Sequence, residues 1–289
     1  MPTIDIALPF YGDVDYLKLA VDSIRNQTDT QWRLLVSDDG YPDPHVREWF
    51  SSLNDSRISY SRNEVNLGAN GNFRKCLDMV TADYVVVMGA DDVMHPEFIA
   101  TIHRVLEGDS DVAIVQPQVR IIDGDGAIIK PLADRIKARI RPMAGKHSGE
   151  VVCQGLMTGN WLYFPSVVWR TADVKAVGFR DGLNVAQDLG LALDVLMRDA
   201  TLLVIDDVLL DYRRHAGGDS TVRALSGNRF IEERAFFAGL ASEFEALGWT
   251  SAARAARRHW TSRLNAASLL PASIKNRKGT KELLKHVVA

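Results

Sequence analysis

Short apolar runs alternate with amphipathic stretches along the first two-thirds of the chain. "TIDIALPF" (3–10) reads as a strand. "DVDYLKLAVDSIRNQ" follows, with Val14, Leu17, Val21 and Ile24 on one helical face and Asp13 placed to cap it. "WRLLVSDDG" is a second strand, stopped at Gly40 and Pro42, and "HVREWFSSL" a short helix. "RISYSRN" gives a third strand. "GNFRKCLDMVT" returns to helical spacing through Phe73, Cys76, Leu77 and Val80. "DYVVVMGADD" is the fourth strand, and "PEFIATIHRVLEG" opens a helix with Pro96 in its first turn. Strands and helices alternating at this spacing predict a parallel sheet covered on both faces.

Beyond residue 110 the pattern loosens. "DVAIVQPQVRIID" is strand-like, and Asp123 to Gly126 ("DGDG") has the composition of a hairpin turn. Residues 131–150 carry Pro, Gly and basic residues with no clean period and are expected to form a mobile loop. "VAQDLGLALDVLMRDA" is helical, with Leu189, Ala192, Leu193 and Leu196 on its buried face, and "TLLVIDDVLLDYR" is a strand or a bent pair. After Ser226 two helices are expected, meeting near Gly248. The fold class is therefore α/β, a mostly parallel central sheet flanked by helices. Residues 1–225 form the main domain and 226–289 a helical appendage.

Charge refines this picture. The net charge is −3, which argues against a polyanion binder acting through its overall field. From Arg254 onward, however, nine basic residues (Arg254, Arg257, Arg258, Arg263, Lys275, Arg277, Lys278, Lys281, Lys285) face Glu282 alone. The default is a solvated face. The alternative is peripheral contact with an anionic membrane, with Leu269, Leu270, Leu283 and Leu284 supplying an apolar side. Nucleic acid is not expected, because no aromatics besides Trp260 interleave with the charges. Cys76 and Cys153 form no C-x-x-C pair and are expected in the core. No apolar run approaches the ~18 residues of a membrane span. The N-terminus lacks a basic leader pattern, so a cytoplasmic protein is expected.

The chemistry lies at strand ends. Asp38 and Asp39 end the second strand, and Asp91 and Asp92 follow the fourth. Ligands of α/β sheets bind beyond the carboxyl ends of strands, so two acidic pairs there describe one polar rim. Turn and helix capping is the plainer explanation for a single pair. Carboxylates repel bare phosphate, but Mg²⁺ on one or two carboxylates keeps positions open for a phosphorylated substrate. The first pair, Asp38 and Asp39, can instead accept hydrogen bonds from a nucleobase N–H or a ribose hydroxyl. Neither G-x-x-x-x-G-K-[ST] nor G-x-G-x-x-G is present.

At this point the chain resembles the family 2 glycosyltransferases of GT-A fold. The matching pieces are "ALPFYGDVDYLKLAVDSIRNQT", "LLVSDDG", "NEVNLGANGNF", "DYVVVMGADDVMHPE", "GFRDGLNVAQDLGLAL" and "YRRHAGGDST". They occur in the family's order across roughly residues 1–220. The resemblance implies sugar transfer from a nucleoside diphosphate donor to a hydroxyl acceptor (a glycan, a lipid-linked sugar or a small molecule), with inversion and with Mg²⁺ or Mn²⁺. It places Pro9 and Tyr11 beside the nucleotide base, gives Asp38 or Asp39 a bond to base or ribose, and sets Asn66 and Gly68 in the loop entering the third helix. It makes Asp91 and Asp92 the metal and diphosphate site and Asp188 the general base. His215 falls in a loop closing over the phosphates, as a further metal ligand, and Arg213 and Arg214 add positive charge.

Two departures stand out. Gly89 replaces the first Asp of the family's Asp-x-Asp motif, and Gln187 replaces the Glu that often precedes the base. Asp194 also stands where the family often has Arg. These departures keep a non-catalytic nucleotide-sugar-binding module open, and paired carboxylates on an α/β sheet also suit a nucleotidyltransferase. Asp188 alternatively reads as a helix cap, His215 as an exposed loop residue, and Trp161 and Tyr163 as core or as sugar-stacking rings. Self-association is left open.

Overall fold

The computed structural model describes residues 2–215, 228–276 and 279–288. Ala216 onward of the "YRRHAGGDST" motif, the 225/226 boundary, Arg277 and Lys278 lie outside the described residues. The elements run β1 (Ile4–Phe10), α1 (Val14–Arg25), β2 (Trp32–Asp38), α2 (His45–Ser52), β3 (Ile58–Arg62), α3 (Gly68–Met79), β4 (Tyr84–Val87), β5 (Val93–Met94) and α4 (Phe98–Gly108). Then come β6 (Ile114–Ile122), α5 (Leu132–Ile140), β7 (Gly145–His147), α6 (Gly149–Thr158), β8 (Val168–Arg170), α7 (Thr171–Val177), α8 (Gln187–Leu196) and β9 (Leu202–Arg213). Four helices follow: α9 (Asn228–Ala246), α10 (Thr250–Arg258), α11 (Trp260–Asn276) and α12 (Thr280–Val288).

Among the described residues one nine-stranded sheet runs β3-β2-β1-β4-β8-β6-β9-β5, with β7 also on β9. β1, β2, β3 and β4 are parallel, as are β6 and β9; β8, β5 and β7 run against their neighbours. The alternation of β1 sends Ile4, Ile6, Leu8 and Phe10 into one core layer and Ala7 into the other. α1 starts where the Asp13 carboxylate accepts from the amides of Asp15 and Tyr16, at 2.8 and 3.1 Å. Its Leu17, Ala20, Val21 and Ile24 are buried against the sheet, as the spacing requires.

Several expectations are corrected. Residues 131–150 are not a loop: they contain α5, β7 and the start of α6. α5 is inverted, with Asp134 buried while Leu132 and Ile136 are exposed, so no inward apolar stripe betrays it. Pro96 lies just outside α4, whose cap position is Glu97. The tail beyond α9 is three helices, because His259 at φ 29° breaks the chain direction between α10 and α11. Leu269, Leu270 and Leu283 pack together rather than forming an exposed face; of the four leucines only Leu284 is exposed. The Asp123–Gly126 turn closes as expected, Asp123 N–H donating to Ala127 O at 2.9 Å.

The C-terminal helices are wired into the sheet domain. Phe236, Leu240, Phe244 and Ala252 share a core layer with Ala7, Val85 and Trp169. Glu232 on α9 accepts from the amides of Asn184, Val185 and Ala186 at 2.9, 2.7 and 3.0 Å, so it caps α8 from another helix. Further along, Asp194 of α8 and Glu243 of α9 grip Arg180 between them. The Asp that stands in place of an Arg thus anchors α8 to α9. Glu232→Ala is expected to lower unfolding free energy by about 1–2 kcal/mol, the usual effect of losing a cap. Urea denaturation checks it, and an unchanged midpoint would refute the capping role.

Candidate active site

The carboxyl ends of β2 and β4 flank that of β1, Phe10 pairing with Asp38 and Ala7 with Val87. Both acidic pairs therefore stand at one edge of the sheet. Their environments differ sharply. Asp38 is fully buried and accepts from the Tyr41 amide at 2.7 Å and from the Tyr60 hydroxyl. Asp39 accepts from Asn63 Nδ2, Leu67 N and Gly68 N at 2.9, 2.8 and 2.9 Å. Gly68 N also reaches Asn66 Oδ1 at 2.9 Å. The first pair thus holds the loop that carries Asn66 and Gly68 into α3. Pro9 is half-buried on β1, and Tyr11 is exposed with its ring edge-on to Tyr41 at 5.8 Å.

The second pair is less satisfied. Asp92 is buried; its Oδ1 accepts from the Arg213 amide at 2.8 Å, while its Oδ2 has no partner among the described residues. Burial and the adjacent Asp91 push the Asp92 carboxyl well above the usual carboxylate range. A Cβ on Gly89 would stand 2.5 Å from Asp92 Oδ2 and 2.8 Å from Asp91 Oδ1. Both carboxylates therefore fold back over the glycine, into space that a side chain there would fill. Asp91 Oδ2 meets His215 Nε2 at 3.0 Å, and the His215 ring lies edge-on to Tyr16.

Arg213 closes this side. Its Nε donates to Asp91 O at 2.7 Å, and its Nη1 donates to Asp123 O and Gly124 O at 3.0 Å each, beneath the Tyr16 ring. Its Nε and Nη1 are thus tied to backbone. Arg214 donates to Asp134 Oδ1 at 2.7 Å, and the Tyr163 hydroxyl reaches the same oxygen at 2.8 Å. Trp161 is core, whereas Tyr163 sits edge-on to Tyr212 at 5.4 Å.

Asp188 lies in the first turn of α8, where Ala186 is the cap residue; its Oδ1 accepts the amide of Leu189, at 2.7 Å. Glu232 performs the capping instead. Burial raises the Asp188 carboxyl above its ordinary range, and the charges of Lys137 and Arg229 act in the opposite direction. Gln187 is buried beside it, its Oε1 without a partner among the described residues. Lys137 donates to Leu162 O at 3.2 Å and lies over the Tyr163 ring; burial pushes its ammonium down to about 8. The phenol of Tyr212 is raised by burial and then by the charges of Asp92, Asp91 and Asp188, with Arg214 opposing. One side chain therefore senses the acidic pair and the α8 carboxylate together.

Asp134, Lys137 and Tyr212 went unnoticed in the sequence. The signal available was the i, i+3 spacing of Asp134 and Lys137 after Pro131, which puts both on one helical face. His95 joins the end of β5 to β9 through Val208 O and Asp211 Oδ1 at 2.9 and 2.8 Å. No group of three or more His, Cys, Asp or Glu among the described residues could hold a metal by itself.

A family model described as Glycosyl transferase family 2 matches residues 5–171, more than half of the chain. An uncharacterized protein of Mycobacterium tuberculosis is 26% identical over 81% of this chain and 73% of its own length. An uncharacterized glycosyltransferase of Methanocaldococcus jannaschii is 22% identical over 73% and 71%. Among solved structures, a fragment of S. aureus TarS in complex with UDP-GlcNAc superimposes with TM-score 0.65 at 16% identity, covering 81% of this chain and 65% of that one. Mannosyltransferase PcManGT from Pyrobaculum calidifontis, in complex with GDP-Man and Mn²⁺, gives TM-score 0.65 at 16% identity over 95% and 75%. At such identities the structural likeness speaks for the fold, and the family match speaks for the class of reaction, against a nucleotidyltransferase. The chain belongs to glycosyl transferase family 2 and is a glycosyltransferase of the GT-A fold.

Proposed function

We propose that this protein transfers a sugar from a nucleoside diphosphate donor to an acceptor hydroxyl by a single inverting displacement, with Asp188 as general base and Mg²⁺ or Mn²⁺ at Asp91 and Asp92. The observation that carries the reading is the convergence of two carboxylates over Gly89 at the carboxyl edge of the sheet, Asp92 Oδ2 buried there with no partner among the described residues. As the acceptor oxygen bonds to the anomeric carbon, the bond to the diphosphate breaks and the acceptor proton passes to Asp188. Desolvation suits Asp188 to that task, because it raises the carboxyl above its ordinary range and so strengthens the carboxylate as a base.

The residues at Gly89 fit a divalent cation. Asp92 Oδ2 is buried without a donor, and Asp91 Oδ1 converges on the same spot. Two like charges held so close call for a cation or a shared proton. A pair of carboxylates is also what Mg²⁺ uses where substrate phosphates and water complete its shell. When bound, the cation would offset the charge that grows on the departing diphosphate. His215, hydrogen-bonded to Asp91, is the third candidate ligand. Arg213 positions Asp91 and Asp92 through its own amide and guanidinium. Arg214, hydrogen-bonded through Nη2 to Asp134 Oδ1 and lying over the Tyr212 ring, is the cation we assign to the diphosphate.

On the donor side, Pro9 and Tyr11 border the nucleoside. Asp38 and Asp39 hold the pocket wall and the Asn66–Gly68 loop; a contact of either with base or ribose would use a remaining lone pair. PcManGT holds GDP-Man with Mn²⁺, and that pairing supports the cation assigned here.

Asp188→Asn is expected to lower kcat by at least about a thousandfold while donor affinity, measured by calorimetry, stays within a few-fold. Retained turnover would remove Asp188 from the mechanism. The base must be ionised, so kcat/KM falls as pH drops through its pKa. Because that pKa is raised, the acid limb lies above the ~3.9 of a free Asp. Lys137→Met removes a charge that favours the ionised form and should move the limb to higher pH; a shift to lower pH would contradict the placement of Lys137 beside Asp188. Gly89→Ala forces both carboxylates outward. It should weaken Mn²⁺-dependent donor binding about tenfold or more, with metal-free binding unchanged. Unaltered Mn²⁺ titration in that variant would put the cation elsewhere.

A further inference from the structure

α11 is built inside out. At ~100° per residue, Trp260, Leu264, Ala267, Pro271 and Ile274 fall within about 40° of one line along the helix. That line faces solvent: Trp260 is 56% exposed, Leu264 66% and Ile274 62%. The opposite side, turned to the protein, carries Ala266 and Ser273 buried, and Ser262 hydrogen-bonded to Glu233. Trp260, Leu264 and Ile274 thus stand in water, while the covered side is filled by Ala266, Ser273, Ser262 and the packed Leu269. A contiguous exposed stripe of this kind marks a surface that meets another.

Charge identifies what it meets. Arg263 and Lys275 flank the stripe at about 60° on either side. At its N-terminal end, Arg254 and Arg258 of α10 line a cavity of about 250 Å³ with Trp260, Thr158 and Ser251. Neither arginine forms an ion pair with a described acidic residue, whereas Arg257 is taken by Glu245 at 2.5 Å. The neighbouring α5 continues the pattern. A Cβ on Gly159 would stand 2.6 Å from Ile140 and 3.0 Å from Thr261, so the end of α5 and the start of α11 meet there. α5 exposes Leu132, Ile136, Arg135 and Arg139. A second copy laid on this stripe would bring like charges together. An anionic bilayer surface accepts both parts, the aliphatic side chains and indole at headgroup depth and the guanidiniums on phosphate.

We propose that α11, with the arginines of α10 and the outer side of α5, docks on an anionic phospholipid surface, the Arg254–Arg258 cavity receiving a phosphate headgroup. The residues expected from the sequence to supply the apolar side, Leu269, Leu270 and Leu283, lie on the covered side; Trp260, Leu264 and Ile274 take that role. Docking requires no sugar transfer, so it stands or falls apart from the reaction.

The test is co-sedimentation of the full chain with phosphatidylglycerol-containing vesicles and with pure phosphatidylcholine vesicles, alongside Trp260 fluorescence. Partition at least about tenfold stronger to the anionic vesicles, weakened by salt, is expected, with a blue shift of emission that is lost in Trp260→Phe. Arg254→Glu with Arg258→Glu, and separately Leu264→Asp with Ile274→Asp, should each reduce partition about tenfold or more while circular dichroism stays unchanged. Turnover with a soluble acceptor should be unaffected, which separates this result from failure of the transfer reading. Equal partition to both vesicle types, or full binding by either double variant, overturns the proposal. So does a lipid-free dimer in sedimentation equilibrium that Leu264→Asp dissolves, since a second copy then covers the stripe. Saturation by millimolar inorganic phosphate without vesicle binding also overturns it, leaving only a small-anion site.

Discussion

The arrangement of the site depends on Arg213. Its backbone amide satisfies one oxygen of Asp92, and its guanidinium takes the carbonyl of Asp91 and those of Asp123 and Gly124. One residue therefore ties the end of β9 to the loop after β4 and to the turn after β6. Without it, two adjacent carboxylates would have no reason to stay together near a low-dielectric core, where their repulsion is strongest. An arginine that the sequence offers to the substrate thus points its Nε and Nη1 at backbone carbonyls.

Charge in the chamber is arranged in opposed pairs. Asp134 holds Arg214 and Tyr163; Lys137 stands near Asp188; His215 meets Asp91. Arg214 thus has a carboxylate partner that keeps it in place. Among the described residues Asp92 Oδ2 has no hydrogen-bond partner, although it is buried beside a second carboxylate. A cation there would offset that burial, in line with the metal proposed for the site.

The N-terminal half was legible in the sequence because each element there buries a regular stripe. Leu17, Val21 and Ile24 sit where the spacing puts them, and the strand-end rule brought Asp38 and Asp92 to one edge. α5 was illegible for the opposite reason: its buried side is Asp134 and Lys137, and its apolar residues face out. Partners also escape a linear reading. Nothing near Asp38 announces that Tyr60 and Tyr41 already donate to it, and nothing near Asn184 announces a capping glutamate forty-eight residues away. The break at His259 rests on one backbone angle that composition does not encode.

The double grip of α9 on α8 changes what the C-terminal helices are. Glu232 holds the end of α8 from which Asp188 projects, and Glu243 holds Arg180 and through it Asp194. The carboxylate assigned to deprotonation is thus mounted from the tail as much as from the sheet. A graft that exchanged this region, as if it were a detachable module, would leave β1, β2 and β4 intact and remove the supports of the turn that carries Asp188. The tail belongs to the chassis of the sheet domain.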